Sequence, residues 1–196
     1  MEAILAREWL FVSGSAGTGK SFLLSHLPRD NQTYITASSA IAARKVGGMT
    51  LHTFAGIGLR LNTLDSAECV RVIRQIPSVL SRWESVKLLL IDEISPLDGR
   101  IFEKVVNILE ALNQNAQLVV LGDFLQLPPI PPQPHLLPKF AFQAEAWKKL
   151  RPMMLTTCIR QEGDEAFLAF LQDVRVGNLG FDSLVGYLGG NIIQVR

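Results

Sequence analysis

The sequence predicts an α/β fold in which a doubly wound, mostly parallel sheet is flanked by helices. Short apolar runs that read as buried strands, at 9–12, 86–91 and 117–121, alternate with segments of helical pattern. A polar or Gly-rich stretch follows each run directly. Such stretches are expected where the carboxyl ends of parallel strands converge, which is where doubly wound sheets place their ligands.

The first strand leads into the stretch that organises the chain. Gly14-Ser15-Ala16-Gly17-Thr18-Gly19-Lys20-Ser21 has the spacing of a phosphate loop, and a helical pattern begins directly after it at Phe22. The glycines allow backbone N–H groups to point inward at phosphate oxygens. Lys20 supplies a cation for the terminal phosphates, and Ser21 offers a hydroxyl to Mg²⁺. The alternative is a Gly-rich turn, which the strand and helix on either side disfavour.

Between the phosphate loop and the next apolar run, the pattern predicts a strand at 32–36 followed by helices. The helices cover 38–46, 65–75 and a short segment up to Trp83. The stretch 49–58 mixes hydroxyls, one imidazole and one aromatic ring between glycines, which predicts a loop. Taken alone, His52 reads as a hydrogen-bonded structural histidine. A solvated face is predicted for three arginines, namely Arg71, Arg74 and Arg82.

The second apolar run ends in two acids, Asp92 and Glu93. Carboxylates at the end of a buried strand are costly unless a positive group meets them there. In a phosphate-loop protein that group is Mg²⁺, so Asp92 is predicted to hold the ion. Glu93 is predicted to orient and deprotonate the water that attacks the terminal phosphate. The alternative is that the two acids only favour the first turn of a helix.

The third apolar run is preceded by a helix, which Asp98 is predicted to cap and which extends to about Leu112. The run leads to Gly122-Asp123-Phe124-Leu125-Gln126-Leu127-Pro128-Pro129. Gln126 is suited to contact a terminal phosphate because its amide both donates and accepts hydrogen bonds. Residues 128–138 are too Pro-rich for a helix and predict an extended connection, with a ligand for a proline-reading module as the weaker alternative.

The last part of the chain predicts a short amphipathic helix at 140–150, a strand at 153–157 and a helix at 164–176. Arg160 lies just after this last strand. A surface charge is the default interpretation. The position at a strand end also favours an arginine that stabilises charge on the transferred phosphoryl group.

Composition indicates one large globular domain, or one domain and part of another. The chain has 196 residues, of which 48% are hydrophobic and 19% charged. The net charge of +1 argues against binding nucleic acid through bulk charge, although a local basic groove is compatible with it. No apolar run approaches the roughly 20 residues that span a bilayer, so no membrane partner is predicted.

The cysteines and the N-terminal residues indicate the cellular compartment in which the protein is expected. Cys69 and Cys158 lack metal-ligand spacing and read as reduced thiols of an intracellular protein. Residues 1–8 contain acids and no long apolar core, which predicts neither a signal peptide nor a transit peptide.

Four motifs in a fixed order resemble the Pif branch of the superfamily 1 DNA helicases. They are the phosphate loop, 36–39 together with 47–58, 90–95 together with 98–99, and 122–129. The resemblance implies a RecA-like first motor domain, placed at 1–176, with 177–196 as a tail or the start of a second motor domain. It also implies hydrolysis of ATP with Mg²⁺ and 5' to 3' movement on single-stranded DNA.

The resemblance also implies roles for particular residues. Lys20, Ser21, Asp92, Glu93 and Gln126 take the roles given above, and Arg160 resembles the family's first arginine finger. In relatives the stretch around His52 lies along the DNA, which makes His52, Thr53 and Phe54 candidates for DNA contacts, with Phe54 as a core residue the alternative. The family implies DNA repair, recombination and telomere maintenance. It favours the nucleus, with the mitochondrion or cytoplasm as alternatives.

Some features depart from the family pattern. Residues 1–8 carry no glutamine of the adenine-binding segment, Pro96 stands where relatives carry a larger apolar residue, and the match stops shortly after Arg160. A fragment or a shortened chain is therefore expected, whose second motor domain lies in cis or comes from a partner. The competing hypothesis is a nucleotide-binding module without motor activity. A small-molecule kinase is disfavoured by Gln126 and its flanking residues, and the oligomeric state stays open.

Overall fold

A single parallel sheet organises the described part of the chain. The computed structural model describes residues 7–15, 17–27, 29–157, 173 and 176–177, and every structural statement below concerns these residues.

The sheet has six strands, and each pair of neighbouring strands is parallel. In chain order the strands are β1 (Leu10–Gly14), β2 (Thr33–Ala37), β3 (Met49–Thr50), β4 (Leu88–Asp92), β5 (Gln117–Gly122) and β6 (Arg151–Leu155). They lie side by side in the order β3-β2-β4-β5-β1-β6, so the predicted parallel sheet is confirmed. Because β1, β5 and β4 are neighbours, the segments that follow them meet at one edge of the sheet.

Helices pack on both faces of the sheet. They are α1 (Lys20–Ser25), α2 (Ala40–Lys45), α3 (Leu51–Ala55), α4 (Arg60–Thr63), α5 (Ser66–Arg74), α6 (Pro77–Ser85) and α7 (Gly99–Leu112), followed by two 3₁₀ turns, Ala141–Gln143 and Glu145–Lys149. Within the described ranges, no helix combines the length and apolar character required to cross a membrane.

The side chains of β4 show how the two faces are filled. Leu88 and Leu90 pack in one apolar cluster with Leu24 of α1. Leu89 packs in a second cluster, which contains Trp83 of α6. Successive side chains of a strand point to opposite faces, so a continuous apolar run is the pattern that a strand buried on both sides requires. The doubly wound arrangement predicted from the sequence is confirmed.

A buried carboxylate connects the start of α7 to a distant part of the chain. As predicted, Asp98 caps the helix, where its Oδ1 accepts a hydrogen bond from the backbone N–H of Arg100 at 2.9 Å. Its Oδ2 accepts from Arg100 Nη1 at 3.0 Å and from the backbone N–H of Lys139 at 3.1 Å. Asp98 is 1% exposed, so these three donors replace the water that its carboxylate loses on folding.

The stretch 49–58, predicted to be a loop, contains β3 and α3 instead. Thr50 caps α3 by accepting a hydrogen bond from the backbone N–H of Thr53 at 3.1 Å, and Gly56 ends the helix with φ of 73°. Three residues of α3 are buried, namely Leu51, Phe54 and Ala55. The prediction was wrong because the flanking glycines masked the cap and because burial, rather than helix propensity, stabilises so short a helix.

Two further predictions differ from the structure. The region 140–150 forms two 3₁₀ turns rather than one helix, because Ala144 between them has an extended backbone with ψ of 143°. Arg82 was assigned to a solvated face, but its Nη1 donates to the backbone oxygens of Thr53 and Phe54 at 2.9 and 2.8 Å. The predicted helix 164–176 lies almost entirely outside the described residues.

Candidate nucleotide-binding site

The phosphate loop joins β1 to α1 in the order that the sequence predicts. Gly17 and Gly19 have φ of 82° and 91°, a left-handed conformation that side chains with a Cβ rarely adopt. The hydroxyl of Thr18 donates to the backbone oxygen of Ser15 at 2.9 Å and braces the turn. Ala16 lies outside the described residues. The glycine spacing therefore has the conformational reason expected of an anion-binding loop.

Lys20 lies across this loop. Its Nζ donates to the backbone oxygens of Gly14 at 2.5 Å and Ser15 at 3.0 Å. These contacts place the ammonium group of Lys20 beside the backbone of the loop. Lys20 is therefore positioned at the phosphate loop, as its place in the motif predicts.

Asp92 ends β4, and Glu93 follows it at the same edge of the sheet. Asp92 is 7% exposed, and burial raises the pKa of its carboxyl group. The backbone N–H of Glu93 and the charges of Lys45 and Lys20 lower this pKa, whereas the charge of Glu93 raises it further. Glu93 has φ of 49°, a strained backbone conformation for a residue with a side chain.

One cavity of about 620 Å³ brings seven of the predicted nucleotide-site residues together, whereas Gly14, Ser15 and Thr18 of the loop do not line it. Its lining includes Gly17, Gly19, Lys20, Ser21, Asp92, Glu93 and Gln126. These residues come from the ends of β1, β4 and β5, which the strand order makes neighbours. The convergence predicted from the sequence is thus present in the structure.

The segment after β5 contributes Gln126 to the cavity. Gln126 is exposed, and its Nε2 donates to Asp123 Oδ2 at 3.3 Å. Asp123 is 3% exposed, and its other oxygen accepts from the backbone N–H of Leu125 at 3.2 Å. Asp123 therefore orients the Gln126 side chain toward the cavity from a buried position.

Sequence reasoning assigned no role to seven other residues that line the cavity, among them Phe22, Lys45 and Asp123. Lys45 is at the end of α2, and the helical pattern of 38–46 contains nothing that brings it to Asp92. Asp123 was noted only as a neighbour of Gln126. A signal for Phe22 was present, because it directly follows the phosphate loop.

A protein-family model described as PIF1-like helicase matches residues 3–183 of this chain. The chain belongs to the PIF1-like helicase family. The "ATP-dependent DNA helicase PIF1" of Danio rerio is 40% identical over 189 residues, and that of Homo sapiens is 40% identical over 190. The alignments cover 91% and 90% of this chain but 29% and 28% of those proteins, so the chain spans less than a third of these relatives' length.

Solved structures of PIF1-like helicases share the fold. The crystal structure of Pif1 helicase from Candida albicans has a TM-score of 0.82 at 36% identity, covering 93% of this chain and 44% of that one. The crystal structure of Bacteroides Pif1 bound to ssDNA has a TM-score of 0.70 at 26% identity, covering 94% and 46%. The likeness supports the RecA-like phosphate-loop fold predicted from the sequence.

The three residues predicted to contact DNA in this PIF1-like chain have different environments. Phe54 is fully buried, and its ring packs between Tyr34 and Trp83 with centroids 5.1 and 4.8 Å away. A ring without accessible surface cannot stack on a base, so its assignment as a DNA contact is corrected in favour of the core alternative. His52 is half-buried, and its Nε2 lies 2.7 Å from Asn62 Oδ1, as the structural interpretation predicted.

Thr53 is the exposed member of the three. Its hydroxyl lies 2.7 Å from that of Thr50, on the turn that begins α3. It stays a candidate DNA contact. Arg160 lies outside the described residues, so its predicted role as an arginine finger stays a prediction.

Proposed function

We propose that this chain is an ATP-hydrolysing motor domain of a DNA helicase, working with Mg²⁺ and single-stranded DNA. The observation that carries the proposal is the convergence of Lys20, Ser21, Asp92, Glu93 and Gln126 on one cavity in a PIF1-like chain. Relatives named ATP-dependent DNA helicases, and a neighbouring structure described as bound to ssDNA, support the choice of ATP and DNA.

The chemistry of two cavity residues fits a magnesium ion. The hydroxyl of Ser21 and the carboxylate of Asp92 are oxygen donors, which Mg²⁺ prefers, and both residues line the cavity. Burial opposes the ionised form of Asp92, so a cation at this point would offset part of that cost. When bound with the nucleotide, the ion supplies positive charge against the phosphate oxygens.

The chain's own residues divide the remaining work. The N–H groups of the phosphate loop bind the phosphates, and Lys20, whose Nζ lies at the same loop, contacts the terminal phosphate. Glu93 orients the attacking water and accepts its proton. Gln126, oriented by Asp123, contacts the terminal phosphate and responds to its loss.

The test is steady-state ATP hydrolysis with and without single-stranded DNA. Lys20→Ala and Glu93→Gln are each expected to reduce turnover by roughly a hundred-fold or more, since each removes a group that acts on the transferred phosphate. Lys148→Ala and Glu84→Gln alter exposed side chains outside the cavity and serve as matched controls. Unchanged hydrolysis in both cavity variants would contradict the proposal.

DNA coupling and the direction of movement require separate measurements. We assign Thr53 to the DNA-binding surface and propose 5' to 3' movement when a second motor domain is supplied in cis or by a partner. Thr53→Ala should weaken binding of labelled single-stranded DNA, whereas Thr63→Ala, at an exposed position of α4, should not. Equal affinity in both variants would remove Thr53 from the surface.

Two further assignments follow from the family. Arg160 acts as the first arginine finger, so Arg160→Ala lowers kcat for ATP hydrolysis and leaves nucleotide affinity unchanged.

An intracellular site of action, with the nucleus favoured, is proposed from the family resemblance, and imaging of the tagged chain tests it.

A further inference from the structure

We infer that Arg82 is a positioning residue for DNA binding because it holds the helix that carries Thr53, an inference that rests on the proposed function. Thr53 lies in α3, a helix of five residues. A helix this short is not stable through its own hydrogen bonds, so contacts with the rest of the fold must fix its position. The structure supplies such contacts from α6, the helix that contains Arg82.

The last three carbonyl groups of α3 receive hydrogen bonds from two consecutive side chains of α6. Nη1 of Arg82 donates to the oxygens of Thr53 and Phe54 at 2.9 and 2.8 Å. Nε1 of Trp83 donates to the oxygen of Ala55 at 3.3 Å. Carbonyl groups at the C-terminal end of an α-helix have no partner within the helix. The side chains of α6 therefore supply the donors that α3 itself lacks.

The charge of Arg82 also suits this place. The C-terminal end of a helix carries partial negative charge, which a cation stabilises. Arg82 is half-buried, and no carboxylate in the described ranges forms an ion pair with it. The described partners of its guanidinium group are therefore the carbonyl groups of α3.

One of these bonds joins Arg82 to the residue that we assign to the DNA-binding surface. The carbonyl group of Thr53 accepts from Arg82, and the side chain of Thr53 is exposed beside that of Thr50. Without Arg82, two carbonyl groups lose their donor and α3 gains conformational freedom. DNA binding would then have to order this helix, which lowers affinity even though no DNA contact has been removed.

The test compares affinities for a labelled single-stranded oligonucleotide by fluorescence anisotropy. Arg82→Met should weaken binding by roughly five-fold, because one or two hydrogen bonds no longer order the binding segment. Arg82→Lys keeps the charge on a side chain one atom shorter and should give a smaller loss. Arg74→Met, which removes an equal charge from an exposed position of α5, should bind as the wild type does. Urea denaturation establishes that each variant is folded, and Arg82→Lys carries the comparison if Arg82→Met does not fold.

The salt dependence of binding separates positioning from direct contact. Each contact with a phosphate of a single strand contributes about 0.7 to the slope of log affinity against log salt concentration. Arg82→Met should keep the wild-type slope while its affinity falls. A slope reduced by about 0.7 would show that Arg82 binds a DNA phosphate itself and would overturn the positioning role. Unchanged affinity in a folded but less stable Arg82→Met would also overturn it, because Arg82 would then be merely structural.

A double variant tests whether Arg82 acts through the helix that carries Thr53. If it does, Arg82→Met should cost less affinity in the Thr53→Ala background than in the wild type. Equal losses in the two backgrounds would overturn the inference. A wild-type chain that does not bind the oligonucleotide would instead contradict the proposed function, on which the inference rests.

Discussion

Replacing Asp98 with alanine tests how strongly a buried carboxylate holds this fold together. The substitution removes the cap of α7, which contributes about 1 kcal/mol in comparable helices. It also leaves the backbone N–H of Lys139, which Asp98 binds at 3.1 Å, without its acceptor. Leaving this partly buried donor without an acceptor costs about 1 to 2 kcal/mol.

The ion pair with Arg100 adds little to that sum. Arg100 Nη1 lies 3.0 Å from Asp98 Oδ2, but the arginine side chain is 35% exposed and also donates to the backbone oxygen of Leu137 at 3.2 Å. Solvent screening reduces the contribution of such a pair to less than about 1 kcal/mol. The expected loss of unfolding free energy in Asp98→Ala is therefore about 2 to 3 kcal/mol.

Urea denaturation of the wild type, Asp98→Ala and Asp65→Ala measures this effect. Asp65 also caps a helix, α5, by accepting from the backbone N–H of Glu68 at 2.7 Å, but it is exposed. Asp65→Ala should therefore cost only the cap, about 1 kcal/mol. Equal losses of unfolding free energy in the two variants would refute the role assigned to burial and to the contact with Lys139.

Three further substitutions have defined outcomes. Asp92→Asn should raise the melting temperature without Mg²⁺ at neutral pH, because burial raises the folded-state carboxyl pKa and the ionised form is costly. This gain in melting temperature should vanish at a pH below the pKa of an aspartate in the unfolded chain, because the Asp92 carboxyl is then protonated in both the folded and the unfolded state. A gain that persists at that pH would contradict the interpretation that the cost comes from burying a charge. Lys45→Met should weaken ATP binding more than Arg44→Met, because of these two residues only Lys45 lines the cavity. Calorimetry of ATP binding measures the difference, and equal affinities of the two variants would contradict the prediction. Phe54→Ala should lower the free energy of unfolding by about 3 to 5 kcal/mol, as measured by urea denaturation, because the ring is fully buried. A loss as small as that of an exposed side chain would contradict this packing.

The phosphate loop and the two acids at the end of β4 could be predicted because their signals are local. Gly17 and Gly19 adopt a left-handed conformation, which glycine accepts far more readily than other residues, so the residue type alone predicts it. A strand buried on both faces must be apolar throughout, so the run that ends at Asp92 identifies both the strand and its polar tip. The convergence of these tips then follows from parallel pairing, which places all carboxyl ends at one edge.

The environments of individual side chains around α3 could not be predicted in the same way. Phe54 is enclosed by Trp83 of α6, and Arg82 of the same helix holds the carbonyl of Thr53. These contacts join residues 29 positions apart. The hydrophobic periodicity of a single helix does not indicate which other helix will pack against its apolar face.

The sequence by itself therefore determined the parallel sheet, the phosphate loop and the acidic strand end, because backbone conformation and burial on both faces leave marks on neighbouring residues. Tertiary structure alone decided that Lys45 reaches the cavity, that His52 contacts Asn62 and that Phe54 belongs to the core. The physical reason is that a side chain's role depends on which distant surface packs against it, and packing is set by the whole fold.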